Sequence, residues 1–262
     1  MKIPLYQIDA FTGRVFGGNP AAVCPLDSWL PDPVMQSIAL ENNLSETAFI
    51  VPRNGDYDIR WFTPVVEVDL CGHATLASAY ALFTILQPSR TSVTFTSRSG
   101  PLGVSRQDDT LVMDFPSLPP KPCDPPQALL AALNVKPSSV LIAANNNFMA
   151  VYDREEDVRA LDPNMTLLAS IGSAHAFICT APGKEADFVS RFFAPKQGIP
   201  EDPVTGSAHS TLTPYWSKRL DRNPLRALQI SARGGELFCE DRGARVGIAG
   251  RAALYLEGAI HI

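Results

Sequence analysis

Three ionisable side chains stand in motifs rich in glycine and serine, and together they could move a proton. Glu46 follows Ser45 in Asn43-Leu-Ser-Glu-Thr-Ala-Phe, and His73 follows Gly72 in Asp69-Leu-Cys-Gly-His-Ala-Thr. Asp202 lies in Gly198-Ile-Pro-Glu-Asp-Pro-Val-Thr-Gly-Ser-Ala-His. A partly buried carboxyl group beside an imidazole can take and return protons near neutral pH. The motifs therefore indicate general acid/base chemistry.

Each of these residues also has a structural interpretation that the sequence leaves open. Glu46 could be an ordinary exposed residue of a strand, and His73 could be a core histidine with its hydrogen bonds satisfied. Asp202 stands before Pro203, and Asp-Pro is common where a helix begins. A choice between these interpretations depends on the elements that carry the residues.

Alternation of apolar and polar residues predicts strands, and apolar periodicity predicts two helices in the first half of the chain. The helices are expected from Pro31 through about Leu40 and from Gly72 to about Leu86, the second buried on nearly all sides. The strands are expected at residues 3–11, 21–24, 48–51, 59–62, 91–96 and 110–115. The proline-dense residues 116–126 predict a link between domains at 1–117 and 118–262, with the last strand packing back on the first domain.

Several motifs of the first half recur in order in the second half. Asn19-Pro-Ala-Ala-Val is echoed by Asn147-Phe-Met-Ala-Val, and Ser45-Glu-Thr-Ala-Phe-Ile by Ser173-Ala-His-Ala-Phe-Ile. The later echoes are Arg60-Trp-Phe-Thr-Pro with Arg191-Phe-Phe-Ala-Pro, and Gly72-His-Ala with Gly206-Ser-Ala. The order predicts a duplicated α+β unit with an apolar helix near Gly72 in one half and near Gly206 in the other.

The two glycine-led helix starts predict a site for an anion. Glycine permits close approach of a ligand to the backbone, and the free N–H groups and dipole at a helix N-terminus favour negative charge. If the halves are related by a pseudo-twofold axis, both helix starts face the cleft between them. A carboxylate- or phosphate-bearing small molecule is therefore expected between the halves.

Composition excludes several classes of protein. The chain has 262 residues, 45% of them hydrophobic, and a net charge of −5, which argues against a nucleic-acid or anionic membrane surface. Its five scattered cysteines form no C-x-x-C pair, and its amino terminus has no signal-peptide pattern. These features predict a cytoplasmic protein without disulfides. The histidine spacing predicts no metal site, and neither a Rossmann fingerprint nor a P-loop is present, so no cofactor is expected.

Motifs across essentially the whole chain resemble the PhzF-like family of phenazine-biosynthesis proteins. They include Asp9-Ala-Phe-Thr, Phe16-Gly-Gly-Asn-Pro-Ala-Ala-Val and Arg60-Trp-Phe-Thr-Pro, besides the three motifs that hold Glu46, His73 and Asp202. The resemblance implies a diaminopimelate-epimerase-like α+β fold with two pseudo-symmetric halves, each a curled mixed sheet or barrel around a central helix. It also implies a homodimer and a cofactor-independent isomerase, whose type enzyme rearranges a dihydro-3-hydroxyanthranilate by proton transfer.

Matched position by position, the resemblance implies that Glu46 is the acid/base, assisted by Asp202 and His73. It implies that Ser45, Gly72, Gly206 and Ser207 line the substrate site. The expected reaction is an allylic proton shift, of the 1,3 or 1,5 type, on a small carboxylate-bearing metabolite.

Two other functions compete with this one. An epimerase or racemase of a small amino or hydroxy acid on the same fold would use two thiols; Cys71 could be one, but the matching position in the second half is Thr205. A non-catalytic protein that binds small acids would keep the glycine-led helices without needing Glu46. The presence of Glu46, His73 and Asp202 together favours the isomerase.

Overall fold

The computed structural model describes residues 1–262, which divide into two compact units. The first unit comprises Met1–Phe115 and Ile248–Ile262, and the second comprises Pro116–Gly247. Both combine strands with short helices, as the α+β prediction requires. No helix of the chain has the length and hydropathy needed to cross a membrane.

The first unit is built from nine strands and two α-helices. In chain order these are β1 (Lys2–Ala10), β2 (Asn19–Pro25), α1 (Asp32–Asn42), β3 (Glu46–Arg53), β4 (Asp56–Phe62), β5 (Glu67–Val68), α2 (Gly72–Ala81), β6 (Ser92–Ser97), β7 (Gly100–Gln107) and β8 (Thr110–Pro116). The last strand of the chain, which follows the second unit, returns to this one at Ala252–His261.

The sheet of the first unit is mixed. The ladder β1–β2 is antiparallel, β2–β3 is parallel, β3–β4 is antiparallel and β4–β6 is parallel. The strands β6, β7 and β8 then continue as antiparallel neighbours, and the short β5 pairs with the end of β4. The C-terminal strand runs antiparallel to β1, from Lys2 opposite His261 to Ala10 opposite Ala252.

Helix α2 lies against the sheet of the first unit and is almost entirely buried. It packs on β1, β2 and β3, and each of its residues except Tyr80 is inaccessible to solvent. A π-helical turn, Leu82–Leu86, extends it to the end that the sequence predicted. Small residues such as Ala74, Ala77 and Ala81 allow the helix to sit close to the strands. The predicted buried helix is therefore confirmed.

The second unit contains the remaining elements. They are β9 (Lys121–Pro122), α3 (Gln127–Ala132), β10 (Ser139–Ile142), β11 (Asn147–Val151), α4 (Glu155–Arg159), α5 (Met165–Ser170), β12 (Ala176–Pro182), β13 (Phe188–Ala194), β14 (Ile199–Asp202), α6 (His209–Leu220), β15 (Leu225–Gln229), β16 (Gly235–Asp241) and β17 (Arg245–Gly250). The boundary between the units falls within β17, after Gly247. The C-terminal strand described above is β18 (Ala252–His261).

The second unit repeats the pairing pattern of the first. Strands β11 and β12 are parallel, β12 and β13 form an antiparallel hairpin, and β14 pairs with β13 as β5 pairs with β4. The proline-dense segment is ordered rather than a free linker, because β9 within it pairs with β10.

The strand register differs between the two repeats. Val23 lies opposite Ala48 in the first unit, whereas Val151 lies opposite Thr180 rather than opposite Ala176, the residue that the echo predicts. The slip covers an even number of residues, so each side chain stays on the face that the repeat assigns to it. Sequence similarity therefore locates the duplicated strands but not their alignment.

Leu76 in α2 tests how much the buried helix contributes to stability. Its side chain is 0% exposed, so Leu76→Ala removes packed methyl groups and leaves a cavity. We expect a loss of about 2–5 kcal/mol in the free energy of unfolding, measured by urea denaturation. The matched variant Leu40→Ala, at a position 59% exposed in α1, should change stability by less than about 0.5 kcal/mol. Equal losses would contradict the assignment of α2 to the core.

Candidate active site

Glu46 and His73 meet inside the first unit. Glu46 is the first residue of β3, and His73 lies in the first turn of α2; their exposed fractions are 8% and 3%. The imidazole Nε2 lies 3.1 Å from the carboxylate Oε2. The oxygen is not aligned with the ring N–H as a hydrogen bond requires, so its lone pairs stay free to accept a proton. The structure thus supports neither the exposed interpretation of Glu46 nor a fully satisfied His73.

Asn19 orients the imidazole ring from the opposite side. It begins β2, is 0% exposed, and its Nδ2 lies 3.1 Å from His73 Nδ1. Since an amide nitrogen can only donate, Nδ1 accepts in the neutral ring and the ring proton lies on the other nitrogen, Nε2. Protonation of Nδ1 would require the amide to turn so that its oxygen faces the ring. The two charge states of His73 therefore call for two orientations of Asn19.

Opposing effects set the pKa of His73. Burial disfavours the imidazolium, but the adjacent Cys71 and the Glu46 carboxylate favour it, and together they raise the pKa of His73 well above its ordinary value. The pair can therefore hold a proton between two buried groups, which a proton-transfer site requires.

Cys71 is the third chemically active side chain of this cluster. It occupies the N-cap position of α2, is 5% exposed, and its Sγ lies 3.5 Å from His73 Nδ1. Burial is the main cause that raises the pKa of the Cys71 thiol to about 11, so the group is a neutral thiol near pH 7.

An arginine clamp holds the segment that leads into α2. Arg60 in β4 binds Glu67 in β5 through two hydrogen bonds, from Nε to Oε1 at 2.6 Å and from Nη2 to Oε2 at 2.7 Å. Bidentate pairs of this kind fix geometry as well as charge. The clamp thereby sets where the chain turns toward Cys71 and His73.

Asp202 anchors a second polar cluster, inside the second unit. It ends β14 and is 7% exposed, and Thr205 Oγ1 donates to its Oδ2 at 2.5 Å. Buried Gln229 joins the same residues, because its Nε2 donates to the Asp202 carbonyl oxygen at 2.7 Å and its Oε1 accepts from the Thr205 N–H at 2.8 Å. Asp202 is therefore not the N-cap of the following helix, since Thr205 occupies that position.

Gly206 and Ser207 form the predicted helical start in the second unit. They open a 3₁₀ turn, Gly206–Ala208, which continues into α6. Gly206 is buried and Ser207 is partly exposed, as is Ser45 beside Glu46 in the first unit. Ser45, Gly72 and His73 are thus grouped with Glu46, and Gly206 and Ser207 with Asp202.

The arginine clamp also occurs in the second unit. Arg191 in β13 binds Glu201 in β14, from Nε to Oε1 at 2.6 Å and from Nη2 to Oε2 at 2.8 Å. Glu67 precedes Gly72 by the same number of residues as Glu201 precedes Gly206. The motif that begins at Arg60 and recurs at Arg191 in the sequence therefore corresponds to the same arginine–glutamate pair in both units.

Four residues of these clusters were given other roles, or none, by sequence reasoning. Asn19 appeared only within a repeated motif, Cys71 and Thr205 only as the matching positions of the two-thiol alternative, and Gln229 carried no signal. Asn19 could have been found from its place in a motif shared by both halves. Gln229 could not, because it lies at the end of β15, far along the chain from Asp202.

Comparison with known proteins identifies the family. The family model for phenazine biosynthesis-like proteins, PhzC-PhzF, matches residues 8–258. A Pseudomonas aeruginosa protein named as an uncharacterized isomerase is 50% identical over 262 residues, covering both chains in full. The crystal structure of a PhzF-family phenazine biosynthesis protein from Enterococcus faecalis superposes with a TM-score of 0.96 at 45% identity, again covering 100% of each chain.

The chain belongs to the PhzC-PhzF phenazine biosynthesis-like family, which is a family of isomerases. A hydroxyproline epimerase from Agrobacterium vitis, with bound trans-4-hydroxy-L-proline, shares the fold with a TM-score of 0.66 at 13% identity, over 99% of this chain and 92% of that one. The predicted family and fold class are therefore confirmed.

His209 gives the second unit a pH dependence that can be measured. Its Nδ1 lies 2.9 Å from the Thr205 carbonyl oxygen and its ring is 0% exposed; burial lowers the pKa of His209 to about 4, against a smaller opposing effect of that bond. Between about pH 6.5 and pH 4 the unfolded chain binds more protons than the folded one, so stability falls as the pH falls. We expect about 2 kcal/mol of this loss between pH 7 and pH 5, measured by urea denaturation.

The variant His209→Asn should largely remove the His209 share of this loss, because an amide nitrogen can donate to the Thr205 carbonyl oxygen without titrating. The control His261→Asn, at an exposed position, should keep the pH dependence of the unmodified chain. If His209→Asn also keeps it, His209 is not the group responsible.

Proposed function

We propose that the chain catalyses a cofactor-independent isomerisation in which Glu46 moves a proton between two carbon atoms of a small carboxylate-bearing metabolite. The observation that carries the proposal is the buried carboxylate oxygen of Glu46, which is close to His73 but not aligned in a hydrogen bond. A base placed in this way can take a proton from a carbon acid without first breaking a strong hydrogen bond.

The proposed reaction balances without an added reagent. Glu46 removes a proton from an allylic carbon, and the electron pair of the C–H bond shifts into the adjacent unsaturated system. The protonated Glu46 then returns the proton to another carbon of that system, in a 1,3 or 1,5 sense. His73, oriented by Asn19, stabilises the negative charge that Glu46 carries before the first transfer and regains after the second.

The start of α2 supplies the proposed binding group for the substrate carboxylate. Cys71 makes no side-chain cap to the helix, and the N–H groups of Gly72 and His73 lie in the first turn, where no helical carbonyl can accept them. Their orientation and the helix dipole favour an anion. Ser45 is proposed to add a hydroxyl contact. Asp202, held by Thr205 and Gln229, is proposed as the assisting polar residue of the second unit, with Gly206 and Ser207 as further binding residues.

The alternative, a two-thiol epimerase or racemase, is supported only by the fold that the chain shares with such proteins as the hydroxyproline epimerase. Cys71 and Thr205 occupy equivalent N-cap positions in the two units, so the position of a second thiol holds a hydroxyl. A hydroxyl is far less acidic than a thiol and does not replace it as a base.

The proposal places the enzyme in the cytoplasm as a homodimer, without a metal ion as cofactor. All five cysteines are free, which suits a reducing compartment. The homodimer rests on the family resemblance.

Deuterium incorporation tests the proton transfer. In deuterated water, the wild-type chain should introduce carbon-bound deuterium into a suitable acid, detected by NMR and mass spectrometry. The probes are dihydro-3-hydroxyanthranilate for the allylic shift, and L-proline and trans-4-hydroxy-L-proline for epimerisation. Glu46→Gln should slow the exchange by about 10²–10⁴-fold, because the amide cannot act as the base, while binding of the acid measured by calorimetry persists.

Glu155→Gln is the matched control, because Glu155 is a buried carboxylate of the second unit that pairs with Arg159. The Glu155→Gln variant should catalyse deuterium incorporation at the wild-type rate. If Glu46→Gln also catalyses it at the wild-type rate, a group other than Glu46 is the base. Binding of an acid by the wild-type chain without any exchange would favour the non-catalytic alternative, and exchange confined to the α-carbon of proline would favour the epimerase.

A further inference from the structure

The cluster of Glu46, Cys71 and His73 has a donor set that the proton-transfer role does not use in full. It offers a carboxylate oxygen, a thiol sulfur and an imidazole nitrogen, and one such atom from each residue lies within 4.8 Å of the other two. All three side chains are buried. The proposed proton transfer uses Glu46 and His73, but it has no role for the sulfur of Cys71.

We propose that this cluster binds one Zn²⁺ ion, which inhibits the enzyme by occupying Glu46 and His73. The inhibitory effect rests on the function proposed above, but the binding itself does not.

The distances suit a tetrahedral ion. Zinc binds sulfur at about 2.3 Å and nitrogen or oxygen at about 2.0 Å, so its ligand atoms lie roughly 3.3–3.8 Å apart. Cys71 Sγ is 4.0 Å from His73 Nε2, and that nitrogen is 3.1 Å from Glu46 Oε2. The third distance, from Cys71 Sγ to the Glu46 carboxylate, is no more than 4.8 Å, so shortening the separations by at most about 1.3 Å would bring the three atoms into the first coordination shell. The remaining position would be left for water or for the carboxylate of a ligand.

Charge balance also favours a divalent ion. A thiolate, a carboxylate and a neutral imidazole carry two negative charges, which Zn²⁺ cancels, and a buried group of charges is stable only when it is compensated. Binding displaces the thiol proton of Cys71 and the proton on His73 Nε2 to solvent or to Nδ1, so no oxidant or reductant is involved. The mixed sulfur and nitrogen donors select zinc over magnesium, which takes oxygen ligands.

Asn19 supplies the outer contact that a zinc-bound histidine needs. A histidine that binds metal through Nε2 carries its proton on Nδ1 and donates it to an oxygen, which orients the ring. The Asn19 amide already lies 3.1 Å from Nδ1, and after a turn of the amide its Oδ1 would accept that proton. The residue that orients His73 for proton transfer can thus also orient it for metal binding.

Equilibrium dialysis against Zn²⁺ in buffer free of thiols and chelators tests the site, with metal counted by mass spectrometry. Wild-type chain should retain one ion, and Mg²⁺ should neither bind there nor compete. Cys71→Ala should weaken zinc binding by more than about 100-fold, because it removes a direct ligand, a larger change than the loss of an outer contact. With Cd²⁺ as the probe, the ultraviolet absorption of a metal–thiolate bond should appear in the wild type and be absent in Cys71→Ala.

Cys24→Ala is the matched control, because Cys24 is a buried cysteine in the apolar cluster behind β2 and lies outside the donor set. It should bind zinc like the wild type. Glu46→Gln provides a second test if Cys71→Ala does not fold, and it should also weaken binding. Failure of the wild type to retain zinc, or binding by Cys71→Ala and Glu46→Gln as tight as that of the wild type, would overturn the proposal.

Deuterium incorporation in the presence of zinc separates this proposal from the proposed function. We expect zinc to suppress the exchange in the wild type and in Cys24→Ala. If zinc binds through Cys71 and exchange continues unchanged, the zinc site stands, and the role of Glu46 and His73 in proton transfer is contradicted instead.

Discussion

The placement of an acid and an imidazole inside a folded unit is the constraint on which the rest of this site depends. Ionised groups are costly to bury unless other charges or hydrogen bonds compensate them. Here Glu46 and His73 compensate each other across 3.1 Å, and Asn19 sets the orientation of the ring. Because Glu46 Oε2 lies close to His73 Nε2 without being aligned in a hydrogen bond, the pair remains able to exchange a proton.

The scaffold keeps this pair in place through packing and through a clamp of opposite charges. Helix α2 is buried along its length against β1, β2 and β3, so His73 cannot move away without disrupting the core. The Arg60–Glu67 pair holds the segment before the helix, and its guanidinium also lies 5.2 Å from the ring of Phe62. In the second unit Arg191 binds Glu201 and lies 5.0 Å from Phe193, so duplication has preserved the whole arrangement.

The two units share a pattern of strands and helices but carry different side chains at equivalent positions of their candidate site clusters. At equivalent positions, the first unit has Cys71 and His73 where the second has Thr205 and Ser207. The first unit thus holds groups that exchange protons, whereas the second holds Asp202 in a network of neutral donors from Thr205 and Gln229.

The sequence by itself identified the strands, the buried helix and the motifs that hold Glu46, His73 and Asp202, because these depend on local patterns of apolar, glycine and charged residues. It also found the duplication. Only the tertiary structure showed that Asn19 and Cys71 contact His73, that Gln229 holds Asp202 and Thr205, and that the β11–β12 register has slipped relative to β2–β3. Hydrogen bonds between residues far apart in the chain, and the sliding of one strand along another, leave no periodic signal in a single sequence.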